Sequence, residues 1–256
     1  MSGSSIKSIW IQKGGNDMKK VLLYSGGMDS WLIKNIWKPD ICLYVDVHSE
    51  YAEEEKKRLP SSTKVVDFPL LGNFELKNKF IPLRNLYFIM IASNYGENIC
   101  LGATSGDWGN NDKTPHFIHE TEQLLKYLWK DKKVNKPIQL EDSFIYKSKS
   151  ELIEQYISMG GTIKKIHDNT FSCYTPRNGK ECFDCYPCFR KFALLMAHGY
   201  KYSLSERKKM WQYVKTMIIP TKEQGGYQGT YYTQRGRESK DLEYCVNELK
   251  KEFTGS

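Results

Sequence analysis

No apolar run in the chain approaches the roughly 20 residues that a membrane span requires, and the N-terminus lacks the apolar centre of a secretory signal. A bilayer-spanning or exported protein is thereby set aside, and the expectation is a cytoplasmic protein with no membrane partner. There is no arginine-rich tail either. The 38 Lys and Arg face 30 Asp and Glu, and the excess of +8 is scattered among acidic neighbours. Such a surface favours anionic ligands such as nucleotides, and nucleic acid is not expected as the direct substrate. No internal repeat is present. His48, His116, His119, His167 and His198 are dispersed, with no Cys-His or metal-like pair among them, and read as structural.

The 256 residues suffice for one substantial core, and one α/β domain with an appendage is the simplest arrangement. Residues 1–17, with Ser2-Gly3-Ser4-Ser5 and Gly14-Gly15-Asn16-Asp17, read as a leader or an expression remnant, because the first convincing strand follows Met18. Apolar strands at about 20–24, 41–47, 64–68 and 99–103 then alternate with helical stretches at about 29–37, 52–58, 83–95 and 116–129. That alternation predicts an α/β fold with a doubly wound parallel sheet covered on both faces. Residues 18–165 are expected to form the nucleotide-binding domain, 166–198 a cysteine-rich segment and 199–256 a helical extension. Ser148 and Glu151 have the spacing of a capping box, and the helix they open is expected to stop at Gly160-Gly161. A Gly-Gly-Tyr-Gln-Gly loop precedes a terminal amphipathic helix near 242–249.

Val21-Leu22-Leu23-Tyr24 runs straight into Ser25-Gly26-Gly27-Met28-Asp29-Ser30. An apolar strand thus empties into a glycine-paired turn whose backbone N–H groups can converge on an anion, with the positive end of the next helix behind them. The Lys-Ser/Thr ending of a Walker loop is missing. The string resembles the SGGxDS signature of the pyrophosphatase-loop (PP-loop) ATPases, which split ATP to AMP and pyrophosphate. The plain alternative is an ordinary strand-turn-helix corner, against which stands the buried character of the strand before it.

Four of the seven cysteines, Cys173, Cys182, Cys185 and Cys188, fall in the string S-C-Y-T-P-R-N-G-K-E-C-F-D-C-Y-P-C. Four thiolates at that spacing can close a tetrahedron around zinc, and a closed site of this kind is structural. An iron–sulfur cluster or a redox pair stays open on the same spacing. Cys42, Cys100 and Cys245 have no such company and read as small buried apolar residues.

The loop and the tetracysteine segment together resemble the 7-cyano-7-deazaguanine synthase (QueC) family. Leu43-Tyr44-Val45-Asp46, with His48 and the acidic stretch at 50–55, looks like that family's second strand and trailing helix. Ile81-Pro82-Leu83-Arg84-Asn85-Leu86 resembles its P-x-R-N-x-x-F element, and Leu101-Gly102-Ala103-Thr104 through Phe117-Ile118 its glycine-led strand and substrate loop. Lys149 and Glu151 fall in its S/T-K-x-E step, and Phe171-Ser172-Cys173-Tyr174 begins its zinc segment. The resemblance spans roughly residues 18–195 and implies a PP-loop fold with a small zinc-binding C-terminal region.

It further implies a ligase that uses ATP, magnesium and zinc to convert 7-carboxy-7-deazaguanine and ammonia into the nitrile through an adenylated intermediate; the residues beyond His198 leave a homodimer open. Ser25, Gly26, Gly27, Asp29 and Ser30 would hold the pyrophosphate, Asp46 would serve the nucleotide, and Asp29 would recruit magnesium. Arg84 and Lys149 would offset charge on the phosphates; the plain alternative for each is a surface cation. Asn85, Asp107 and Asp112 are candidates for the substrate, the two aspartates sitting after a strand end where open α/β sheets bind ligands. An ordinary loop aspartate is their alternative. Asn110-Asn111-Asp112-Lys113 keeps only the aspartate of the family's Tyr-Pro-Asp-Cys step. An enzyme that stops at the amide for phage DNA modification therefore stays open. So do another PP-loop enzyme, such as a tRNA thiolase or lysidine-type ligase, and a catalytically silent nucleotide sensor. Beyond His198 no counterpart is named. Tyr227, Tyr231 and Tyr232 with Arg235 and Arg237 would stack on a base or pack the tail.

Overall fold

The computed structural model describes residues 18–49, 52–77, 80–131, 133–173, 175–223 and 237–255. The expected leader at 1–17, the glycine-rich loop, Tyr227, Tyr231, Tyr232, Arg235 and the side chain of Arg237 lie outside the described residues.

Five strands, β1 (Lys20–Leu23), β2 (Ile41–Asp46), β3 (Lys64–Asp67), β4 (Asn98–Cys100) and β5 (Gln139–Leu140), form one sheet in the order β3-β2-β1-β4-β5. Every pairing is parallel, with Val21 opposite Ile41 on one side and Ile99 on the other. β1 is central, so consecutive residues are buried against opposite faces, and Val21 and Leu22 are both fully enclosed. That explains the unbroken apolar run, which alternation would otherwise interrupt. The chain order reverses between β1 and β4, which opens a crevice beyond their carboxyl ends.

On one face Leu22 packs with Leu32 and Ile33 of α1 (Met28–Trp37) and, after the short α2 (Ala52–Lys56), with later helices. On the other, Val21, Leu23 and Leu43 meet Ile89 of α3 (Arg84–Ala92) and Ile118 and Leu125 of α4 (Pro115–Trp129). α5 (Lys149–Ser158) adds Leu152 and Ile153 to the first face, and the chain leaves the helix through Met159 and Gly160, where the sequence predicts the stop.

In the C-terminal third the expected terminal helix near 242–249 is present within a longer element, and the other helices there go beyond the sequence reading. α6 (Ile163–Asn169), α7 (Tyr186–Ala197), α8 (Leu204–Tyr213), α9 (Ile219–Glu223) and α10 (Arg237–Thr254) follow, and the residues from Val214 to Ile218 join α8 to α9 by a wide π turn. α7 begins inside the stretch read only as cysteine-rich: Cys185 is its N-cap, Pro187 lies in its first turn, and proline there costs no helical hydrogen bond. Phe189, Phe192, Leu194, Leu242, Cys245 and Leu249 carry the first-face core outward from α7 to α10. Each such fully buried side chain contributes roughly 1.5–3 kcal/mol. No helix among the described residues is long and apolar enough to cross a membrane.

Candidate active site

β1 ends at Leu23, and the chain then turns through Gly26 at φ +75°, a left-handed conformation that glycine adopts without a steric penalty. Gly27 precedes α1 and provides no side-chain cap. α4, α5, α6 and α8, by contrast, open on Thr114, Ser148, Thr162 and Ser203, whose hydroxyls accept a backbone N–H. Ser25 and Ser30 tighten the turn itself: Gly27 N–H donates to Ser25 Oγ at 3.4 Å, and Ser30 Oγ donates to the Gly27 carbonyl at 3.1 Å. The first-turn amides of α1 are left facing the crevice, an arrangement suited to phosphate.

Asp29 lies in that first turn. Lys149, 120 residues later and 6 % exposed, forms an ion pair with its Oδ2. The capping box places the lysine: Ser148 N–H donates to Glu151 Oε2 at 2.6 Å, and Glu151 N–H returns to Ser148 Oγ at 3.2 Å. Asp29 Oδ1 is buried with no hydrogen-bond partner. An orphaned carboxylate oxygen of this kind costs about 1–3 kcal/mol or more until something binds it, and its chemistry fits a hard cation such as Mg²⁺.

Two cavities of about 280 and 330 Å³ meet at this point, sharing Ser25, Gly27, Asp29, Glu55, Asp107 and Lys113. The first runs beneath the ends of β1, β2 and β4, past Tyr24, Tyr44, Arg84, Asn85 and Phe88. The second runs towards the cysteine segment, past Lys149, Phe171, Tyr186 and Arg190. Burial alone would raise the Asp107 carboxyl, but Lys149, Lys113 and Arg190 outweigh it and hold the group ionised, well below the usual carboxylate range. Its Oδ2 also accepts from Thr104 N and Oγ1 at 3.2 and 3.0 Å. Glu55 goes the other way. Burial pushes it up to about 7, against the opposing pull of the Tyr44 hydroxyl, 2.8 Å away, and of Arg84.

Of the residues singled out from the sequence, Ser25, Gly26, Gly27, Asp29, Ser30, Arg84, Asn85, Asp107 and Lys149 all line this paired cavity. Leu83, at φ +60°, turns the chain so that Arg84 and Asn85 open α3 against it. Asp46 and Asp112 stand apart. The Asp46 carboxylate takes the Lys56 ammonium at 2.6 Å and the His48 N–H at 2.9 Å. It clusters with His48 and Asp67 away from the lining, and Lys56 already supplies the cation there. Asp112 contributes its backbone carbonyl to Asn85 Nδ2 at 3.3 Å, while its neighbour Lys113 faces both cavities. Glu55, Lys113 and Arg190 were not legible as site residues. Each carried only a weak signal: a place in an acidic run, adjacency to Asp112, and a position just past the last cysteine.

The four cysteines converge, their sulfurs all lying within 4.8 Å of one another. Cys182 and Cys188 Sγ are 3.9 Å apart, close to the roughly 3.8 Å between sulfurs of a tetrahedral zinc site with Zn–S near 2.3 Å. Backbone N–H groups of Cys182 and Asp184 point at Cys173 and Cys182 sulfur at 3.4 and 3.3 Å, as they do around thiolates. Hydrogen bonds among the sulfurs pull the Cys173 thiol down and push the Cys188 thiol up. Cys42, Cys100 and Cys245 are buried apart, as expected.

Fold and site together define an α/β protein whose sheet opens on a charged, glycine-cradled crevice beside a four-sulfur cluster. The family described as queuosine biosynthesis protein QueC matches residues 69–198, just over half of the chain. A 7-cyano-7-deazaguanine synthase of Prochlorococcus marinus (strain AS9601) is 26% identical over 204 residues, covering 66% of this chain and 89% of its own length. The synthase of that name from Picrophilus torridus is 25% identical over 222 residues, covering 71% and 88%. One from Leptospira interrogans is 31% identical over 120 residues, covering 44% and 48%. No solved structure matches the chain at a significant level. The chain belongs to the QueC family.

Proposed function

We propose that the protein is an ATP-dependent carbon–nitrogen ligase of the PP-loop type that makes 7-cyano-7-deazaguanine from 7-carboxy-7-deazaguanine and ammonia. The observation that carries this reading is the orphaned Oδ1 of Asp29, held beside Lys149 at an uncapped helix N-terminus where two cavities meet. The names of the relatives supply the substrate class.

In this reading the turn from Ser25 to Ser30 holds the pyrophosphate portion of ATP, and the nucleoside occupies the cavity past Tyr24 and Phe88. Asp29 Oδ1 would hold Mg²⁺, which supplies positive charge to the phosphates. Lys149 and Arg84 stabilise the charge that builds as pyrophosphate departs. The acceptor acid lies in the second cavity, where ionised Asp107 accepts from the N–H edge of the guanine-like ring. One carboxylate oxygen attacks the α-phosphorus, the bond to pyrophosphate breaks, and an acyl adenylate remains. Ammonia then adds to the acyl carbon and AMP leaves, giving the amide. Glu55, near neutrality and shared by both cavities, is suited to receive the proton that ammonia sheds. A second adenylation, on the amide oxygen, lets AMP depart again and leaves the nitrile. The cavity walls keep adenylate and ammonia together and water out. The four cysteines would hold zinc, which here supplies structure.

The departure of Asn110-Asn111-Asp112-Lys113 from the family's substrate loop favours, as the second reading, an enzyme that stops at the amide. Incubation with 7-carboxy-7-deazaguanine, ammonia, ATP and Mg²⁺, followed by mass spectrometry, decides. AMP with the nitrile supports the main reading, AMP with an amide one water heavier supports the second, and ADP or no turnover overturns both.

A further inference from the structure

α10 lies outside the stretch of chain that resembles the family, yet it reaches the site. Glu238, in its first turn, is completely buried, and its carboxylate meets the Arg190 guanidinium as a two-pronged fork: Nε with Oε1, and Nη2 with Oε2 at 3.0 Å. The remaining Nη1 of Arg190 donates to Asp107 Oδ1 at 3.3 Å. Gly106 lies directly beneath this fork, and a Cβ there would run into both the Arg190 guanidinium and the Glu238 carboxylate. One turn along the same face of α10, Asp241 accepts from Ser150 Oγ, the residue next to Lys149, and faces His198 Nε2 at 3.6 Å. Leu242, Cys245 and Leu249 anchor the helix in the core.

We infer that Glu238 is a positioning residue of the active site: by forking Arg190 it fixes the guanidinium over Gly106, and Arg190 in turn holds the Asp107 carboxylate towards the acceptor cavity. The C-terminal helix is therefore a working part of the catalytic centre. Alone, a buried Arg190 would be free to rotate and could pair with Asp107 bidentately, competing with Thr104 for Oδ2 and drawing the carboxylate away from the cavity. Glu238 takes two of the donors and leaves Asp107 one. The carboxylate that remains available is the one assigned above to the acceptor ring, so the kinetic part of this inference rests on the proposed function.

Glu238→Gln tests it through two readouts. Amide hydrogen exchange across residues 104–113 reports the seating of Asp107 whatever the enzyme binds, and steady-state kinetics reports the acceptor. The variant should exchange faster in that segment and raise KM for 7-carboxy-7-deazaguanine roughly tenfold or more, with KM for ATP unchanged. Leu249→Ala, which loosens the packing of α10 without touching the fork, should lower Tm and leave both readouts unmoved. If exchange in Glu238→Gln is no faster than in Leu249→Ala, or if both KM values rise together, the helix merely packs and the inference fails. A native enzyme that binds no deazapurine acid condemns the proposed function, while the exchange measurement still decides the positioning of Asp107.

Discussion

The glycine turn after β1 and the cysteine cluster before α7 are both built to hold something, and they are assembled in opposite ways. The cluster draws all four ligands from sixteen consecutive residues, Cys173 to Cys188, so it closes on itself and has no open position. The turn provides only a backbone shape. Its chemistry arrives from far along the chain: Lys149 reaches Asp29 across 120 residues and Arg190 reaches Asp107 across 83. A local cage yields stability, whereas a site assembled at a long-range junction yields reactivity that depends on the whole fold being in place.

The comparison breaks first at Asp29. Asp29→Asn keeps the shape of the side chain and removes the charge, and should lower AMP formation by about 10³-fold, as loss of a preorganised electrostatic group does. The fold should persist, with Tm falling no further than loss of the Lys149 ion pair accounts for. Pyrophosphate release and a thermal melt check the two halves, and a full-rate variant would refute the assignment. Cys185→Ser should do the reverse, giving loss of bound zinc and a large fall in Tm before any defect in chemistry, read by metal analysis and calorimetry. A variant that stays metal-loaded and stable would remove the cluster from its structural role. Ser148→Ala sharpens the contrast at smaller scale. It should cost about 1 kcal/mol of stability through the lost cap and a further loss of turnover, because the same cap places Lys149. The last is a pH effect. Glu55 holds a proton in the folded chain that the unfolded chain releases, since burial raises it from 4.5 to about 7. Its contribution to stability is present below the ordinary glutamate range and lost as pH rises through 7. Glu55→Gln should therefore melt higher than the native protein at pH 8 and gain nothing at pH 4, in paired thermal melts.

The same division explains what could be read from the sequence. The strands and the caps at Ser148 and Gly160 are local, periodic signals and lie where expected, to within a residue or two for β1 to β3 and α1. The cluster was legible because spacing alone specifies it. β5, two residues long, offers no period, and α7 was hidden because Cys185 caps it and Cys188 lies in its first turn. Lys113, Glu55 and Arg190 escaped notice because what makes them part of the site is the surrounding burial and charge, which no short window contains. Asp46 shows how much a short motif leaves unread: the resemblance offered it for the nucleotide, and no window around it shows that Lys56 of α2 pairs with its carboxylate.

The three solitary cysteines have a practical use. Burial pushes the Cys100 thiol up to about 12 and raises those of Cys42 and Cys245, so these sulfurs remain protonated and sluggish towards alkylating reagents at neutral pH. Any rapid labelling of the native protein must then come from the other four. If the four-sulfur cluster holds zinc as proposed, fast-reacting thiols would mark molecules that have lost it, without an enzyme assay.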